Sequence, residues 1–122
     1  DDGYFDLIVT HLVMHETSHK AVHKIYKECY RLLSPGGVMI HQDIPMFKGM
    51  EPLPAFLSAW EVKNVNEYFA ETYRSMDVVG EAIKAGFEPD KASLAAIKHF
   101  KEPEVTNYNT SQARIPGLVG IK

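Results

Sequence analysis

The spacing of hydrophobic residues changes twice near the start of the chain. Residues 4–10 form an almost continuous apolar run rich in β-branched side chains, typical of a strand buried on both faces of a parallel sheet. Between residues 18 and 33, apolar side chains recur at helical spacing opposite a basic, polar face. Another apolar run follows at residues 38–40. This pattern predicts two strands and a connecting amphipathic helix in a right-handed βαβ unit.

Both ends of the predicted helix carry their own signals. Thr17 or Ser18 can accept hydrogen bonds from the first free backbone amides, and Ser-Pro-Gly-Gly at residues 34–37 ends the helix in a turn. The second strand closes with a polar cluster at residues 41–43, and Pro45 then prevents further ladder pairing. The βαβ unit is therefore expected to end close to residue 43.

The remainder of the chain predicts a mixture of short helices and strands. In chain order these are two short helices within residues 45–73, a helix at 76–85 capped by Gly86, a strand at 93–97, a loop at 98–116 and a strand at 118–121. We expect residues 1–122 to form one α/β domain in three layers. Helices should cover both faces of a Rossmann-like, mostly parallel sheet, and its C-terminal strand should be antiparallel.

Composition narrows the classes of partner. The 122 residues are 45% hydrophobic, enough for one core and too few for two domains. Thirteen basic and sixteen acidic side chains give a net charge of −3, which argues against a nucleic-acid partner. No apolar run is long enough for a membrane span, and no signal sequence is recognisable. With Cys29 as its single cysteine, the chain is expected to be cytoplasmic and free of internal disulfides.

Four short motifs follow one another along the chain. They are Asp-Gly-Tyr-Phe-Asp at residues 2–6, Leu-Val-Met-His at 12–15, Arg-Leu-Leu-Ser-Pro-Gly-Gly at 31–37 and Gly-Phe at 86–87. In this order the motifs resemble the C-terminal half of a class I S-adenosylmethionine-dependent methyltransferase. The resemblance implies transfer of a methyl group to a small-molecule acceptor. Residues 45–74 would then be a helical insertion on the substrate side, although ordinary packing explains their aromatic residues equally well.

The same resemblance implies where the cofactor lies. The loop that leaves the first strand passes the methionine end of S-adenosylmethionine in the family, which points to Thr10, His11 and Leu12. The Gly-rich turn and the ribose-binding carboxylate of such sheets have no counterpart here. We therefore expect cofactor binding only together with a missing N-terminal half. By itself the chain should be inactive, and it should associate either with that half or with a second copy as a homodimer.

Three polar residues are the candidates for catalysis. His15 matches a loop histidine that is frequent in the family, and His41 and Asp43 lie at the carboxyl end of the second strand. A hydroxyl or amine acceptor loses a proton as it attacks the methyl carbon, and histidine or aspartate can take that proton. The alternative interpretation is that these side chains only line the acceptor pocket.

Two other functions compete with methyl transfer. His15-Glu16-Thr17-Ser18-His19 is an H-E-x-x-H sequence, the zinc motif of metallopeptidases, with a downstream glutamate such as Glu51 or Glu61 as a third ligand. Because Thr17 and Ser18 favour a helix start, the two histidines should not share one helix, and we predict no metal site. The other competing function is a non-catalytic remnant of the fold that acts in binding or assembly.

Overall fold

The computed structural model of the chain describes residues 1–44, 50–97 and 115–122. Its elements, in chain order, are β1 (Phe5–His11), a 3₁₀ turn (Met14–Glu16), α1 (His19–Leu32), β2 (Leu33–Gln42), α2 (Pro52–Asn64), α3 (Ala70–Ser75), α4 (Val78–Ala85), β3 (Ala92–Ile97) and β4 (Ile115–Ile121). The helices and strands expected from the hydrophobic pattern are all found. Most of the loop expected at 98–116 lies outside the described residues, and its last two residues belong to β4.

The start of β2 differs from the expectation. The Ser-Pro-Gly-Gly segment was predicted to be a turn, but it lies within β2 and pairs irregularly with β1, so that Phe5 faces Leu33 while Leu7 already faces Val38. Gly37 allows this close approach: a Cβ atom there would lie 2.9 Å from the Phe5 carbonyl oxygen. The segment is therefore a bulge at the entry of the strand.

The sheet has the order β1-β2-β4-β3. β1 and β2 are parallel, whereas β4 is antiparallel to both of its neighbours. The prediction of a mostly parallel sheet is thus wrong. Because β4 lies between β2 and β3, two of the three described strand pairs are antiparallel. The antiparallel orientation of the C-terminal strand is confirmed.

The described core lies on one side of the sheet. The amphipathic helix α1 buries Val22, Tyr26 and Cys29, and α4 packs against α1 and against β3 and β4. On the opposite side, Leu7 and Val9 of β1 are 55% and 56% exposed. The expected third layer is therefore not found here among the described residues. No helix in the described ranges is long and apolar enough to cross a membrane.

A second group of helices lies at the end of the sheet. α3 packs on the 3₁₀ turn after β1, and α2 packs on α3, where the Arg74 guanidinium donates to the Ser58 carbonyl at 2.7 Å. The aromatic residues of α2 remain largely uncovered, with Phe56 and Trp60 63% and 58% exposed. These helices bring residues 61–75 next to the loop that follows β1.

Candidate active site

The parallel pair β1 and β2 places the predicted site residues side by side. The register pairs Thr10 with His41 and His11 with Gln42 at the carboxyl ends of the two strands. The chain then turns sharply at Leu12, whose φ of 53° lies in the left-handed region and whose amide donates to the Gln42 carbonyl at 2.9 Å. This turn leads directly into the 3₁₀ turn that carries His15.

Asp43 joins the two strand ends. Its carboxylate is 2% exposed and accepts hydrogen bonds from the amides of Met14 at 2.7 Å, His15 at 3.3 Å and Ile44 at 2.6 Å. The same carboxylate contacts Nδ1 of His15 at 2.5 Å. A buried charge is tolerated only when it is well paired, and these four contacts meet that requirement. Asp43 thus fixes the loop after β1 to the end of β2.

The two ring nitrogens of His15 have different surroundings: Nδ1 faces the buried Asp43, and Nε2 faces Glu16, close to Glu67. The residue is 6% exposed, and its Nδ1 contacts Asp43. Its Nε2 lies 3.5 Å from Oε1 of Glu16, and donor atoms of His15, Glu16 and Glu67 all lie within 4.8 Å of one another. With an ionised Asp43, Nδ1 carries the proton and Nε2 keeps a free lone pair. Of the three predicted catalytic residues, His15 has the ring nitrogen best placed to meet a ligand.

His41 has a different environment. The ring is 1% exposed, stacks on Tyr26 with a centroid distance of 4.9 Å, and has Nδ1 2.6 Å from the Thr10 hydroxyl oxygen. Burial lowers the pKa of His41 to about 4, and the nearby Asp43 carboxylate opposes this shift only in part. Among the described residues, its Nε2 has no hydrogen-bond partner. His41 is therefore an uncharged, packed ring at neutral pH.

The three predicted cofactor residues point in different directions. Thr10 is half-buried and turned toward His41, on the side of the sheet that α1 covers. His11 is exposed and contacts the Gln42 side-chain oxygen through Nδ1 at 3.0 Å, and Leu12 is 43% exposed. Only His11 and Leu12 thus present side-chain surface that a ligand beyond the end of β1 can reach.

Sequence reasoning missed Glu67 and considered Glu16 only as part of the metallopeptidase motif. Glu67 lies just before α3, in a segment without hydrophobic periodicity, and its distance of 51 positions from Glu16 gives no local signal. Its place in the cluster follows from the packing of α3 on the 3₁₀ turn. No spacing rule applied to the sequence would have found it.

The H-E-x-x-H sequence does not form a zincin site in the described structure. His15 and Glu16 belong to the 3₁₀ turn, Thr17 is extended, and Ser18 caps α1 by accepting from the Ala21 amide. His19 therefore begins a separate helix, and its Nε2 lies 3.4 Å from the Glu81 carboxylate. The expectation that the motif straddles a helix start is confirmed, which disfavours the metallopeptidase alternative.

Comparison with known proteins bears on this part of the chain. Residues 1–41 match a protein family described as a methyltransferase domain. This segment is methyltransferase-like. It contains β1, the 3₁₀ turn, α1 and most of β2, and with them Thr10, His15 and His41. The resemblance to a class I S-adenosylmethionine-dependent methyltransferase domain is therefore confirmed for the methyltransferase-like segment.

A solved structure resembles the whole chain. It is the crystal structure of a possible exported protein from Bordetella parapertussis, with 15% sequence identity and a TM-score of 0.54. The similarity covers 99% of this chain and 40% of that protein. At this identity the likeness concerns the fold alone, and the chain spans well under half of the other protein's length. No curated protein matches the sequence.

Proposed function

We propose that the chain is the acceptor-side part of an S-adenosylmethionine-dependent methyltransferase that acts on a small molecule. The carrying observation is the buried His15–Asp43 pair at the carboxyl ends of two parallel strands, within and next to the methyltransferase-like segment. In doubly wound α/β sheets, ligands bind beyond the carboxyl ends of the strands. The pair therefore lies where an acceptor would meet the methyl donor.

His15 is the proposed proton acceptor. A hydroxyl or amine must lose its proton as it is methylated, and Nε2 of His15 has a free lone pair when Asp43 holds Nδ1–H at 2.5 Å. The carboxylate also stabilises the imidazolium that forms, as in other histidine–carboxylate pairs. The Asp43 carboxylate is occupied by its own contacts. The His41 ring stacks on Tyr26 and turns Nδ1 to Thr10. Both residues are therefore proposed to position the site rather than touch the acceptor.

The described residues fit one wall of a cofactor site. His11 and Leu12 are exposed at the carboxyl end of β1, where the methionine end of the cofactor is expected. S-adenosylmethionine supplies the methyl group when it is bound. The sequence has no Gly-rich phosphate-type turn, so most of the contacts to the nucleoside would have to come from elsewhere. The exposed Leu7 and Val9 support association with an N-terminal half, or with a second copy, along the open side of the sheet.

Calorimetric titration with S-adenosylmethionine tests the assignment, run on this chain and on any longer natural form of the protein. Binding by the longer form alone, together with methyl transfer, supports the proposal. Binding by neither form supports the non-catalytic alternative instead. A zinc-dependent peptidase activity would contradict both.

The role of His15 needs a variant that keeps its buried contact. His15→Asn places an amide N–H close to the position of Nδ1–H, so that it can still donate to Asp43, and removes Nε2. In the form that binds the cofactor, we expect kcat to fall by about 10²-fold or more, with cofactor affinity unchanged. The exposed His19→Gln variant is the control and should keep its kcat. An unchanged kcat in His15→Asn would show that His15 is not the base.

A further inference from the structure

Around His15 lie more potential metal-ligating atoms than its role as a proton acceptor requires. Two glutamates from different parts of the chain lie close to His15: Glu16 from the 3₁₀ turn, whose carboxylate faces Nε2, and Glu67 from the segment before α3. Bringing two carboxylates together costs electrostatic repulsion, which the charge of Arg74 offsets in part through its interaction with Glu67 and a bound cation would offset further. Since the side chain of His15 is only 8% exposed, the imidazole is a built part of this cluster and not a chance surface neighbour.

We propose that His15, Glu16 and Glu67 bind one divalent ion of the zinc type. Zinc accepts imidazole nitrogen and carboxylate oxygen at roughly 2.0–2.2 Å, which places tetrahedral donor atoms roughly 3.4 Å apart. Nε2 of His15 lies 3.5 Å from Oε1 of Glu16, and ligand atoms of His15, Glu16 and Glu67 all lie within 4.8 Å of one another. Three protein ligands leave one position open.

The contacts behind His15 support this assignment. Histidines that ligate metals usually donate their other ring N–H to a carboxylate, which fixes the ring and makes the ligating nitrogen more basic. Asp43 occupies that position at 2.5 Å from Nδ1, and three backbone amides hold the aspartate in turn. The nitrogen donor favours zinc-type ions over magnesium, which prefers oxygen ligands and water.

The site has a consequence for catalysis that rests on the proposed function. An ion bound to Nε2 occupies the lone pair with which His15 would accept the acceptor's proton. Zinc and the proton acceptor role therefore compete for one atom, and we infer that zinc loading inhibits methyl transfer. Removal of the ion with a chelator should restore the rate.

The binding test uses zinc alone, in competition with a chromophoric chelator, on the intact protein. We expect one ion per chain, and we expect Glu67→Gln and Glu16→Gln each to weaken zinc binding at least tenfold. Glu71→Gln, an exposed glutamate on neighbouring α3, is the matched control and should bind zinc normally. Millimolar magnesium should not displace the zinc.

A second variant separates this site from the other histidine cluster. His19 and His23 both face Glu81 on α4 and offer zinc an alternative position. The double variant His19→Gln/His23→Gln should keep the zinc affinity. Loss of binding in that variant, unchanged binding in Glu67→Gln, or no stoichiometric binding at all would overturn the proposed site.

Failure of the metal site and failure of the proposed function give different results. Zinc binding that depends on Glu67 without any methyl transfer leaves the site intact and removes the methyltransferase assignment. Methyl transfer without zinc binding does the reverse. Methyl transfer that zinc accelerates would overturn the inferred inhibition, although the site itself would stand.

Discussion

His41 links the stability of the fold to pH. Its folded-state pKa is lowered from 6.5 to about 4 by burial, so the unfolded chain binds a proton at His41 more readily than the folded one. The folded state is unaffected above pH 6.5 and loses stability as the pH falls from 6.5 toward 4. For this shift, the loss between pH 7 and pH 5 is about 2 kcal/mol.

The pH dependence of unfolding can be measured in wild type and in His41→Gln by urea titration. Glutamine does not ionise, so the free energy of unfolding of the variant should fall less between pH 7 and pH 5, by about 2 kcal/mol. The exposed His11→Gln variant should keep the wild-type slope. Identical slopes in all three proteins would show that His41 is not the buried neutral ring described here.

Single residues also show the limit of sequence reasoning about the site. His15 was predicted from the methyltransferase resemblance, and His41 and Asp43 from their place at the carboxyl end of the second strand. The structure brings the three residues together. All three are buried, and what the sequence could not tell is which contacts hold each of them. Those contacts depend on Tyr26 of α1, which stacks on His41, and on the backbone amides that turn toward Asp43. Both are tertiary contacts with no local pattern.

Glu81 connects the two helices on the covered side of the sheet. It belongs to α4, is 7% exposed, and contacts His19 at 3.4 Å and His23 at 3.1 Å on α1 as well as Lys84 at 2.7 Å. The hydrogen bond from Lys84, followed by the one from His19, lowers the pKa of Glu81. Its stabilising effect is thus present above the ordinary glutamate pKa and is lost as the pH falls below it.

Removal of the Glu81 charge should weaken the contact between α1 and α4 and so lower the free energy of unfolding. We expect Glu81→Gln to lower the free energy of unfolding by about 1 kcal/mol at pH 7, because a mostly buried acceptor loses the charge that pairs with Lys84. Glu88→Gln is the control, since the partner of Glu88 among the described residues is Lys91 at an exposed site, and the variant should change stability by less than about 0.5 kcal/mol. Equal effects of the two variants in thermal and urea unfolding would contradict a role for Glu81 between the helices.

At the level of elements, the sequence predicted where helices and strands lie better than how the strands pair in the sheet. Periodicity located α1 within one residue at each end because its buried face and its Ser18 cap are local features. The pairing of β4 between β2 and β3 depends on residues far apart in the chain, and the bulge at Gly37 depends on the approach of Phe5. Neither feature gives a periodic pattern of hydrophobic residues. The sheet was therefore expected to be more parallel than it is.

The sheet of the described residues has an open apolar side, which should govern the behaviour of the molecule in solution. Phe5, Leu7 and Val9 are 44%, 55% and 56% exposed on β1, which is also an edge strand of the described sheet. An exposed apolar edge strand is a template for pairing with another chain. The chain on its own should therefore self-associate at micromolar concentrations, detectable by sedimentation velocity and light scattering.

The double variant Leu7→Lys/Val9→Lys tests whether β1 is responsible. Lysine on an edge strand opposes pairing, and both positions already face solvent, so the free energy of unfolding should change by less than about 1 kcal/mol while self-association decreases. Leu53→Lys/Phe56→Lys changes an equally exposed apolar pair on α2 and is the matched control. If only the α2 variant becomes monomeric, the association surface lies on α2. If the unmodified chain is already a monomer, the open side of the sheet does not bind a second copy, and the N-terminal half becomes the partner to test.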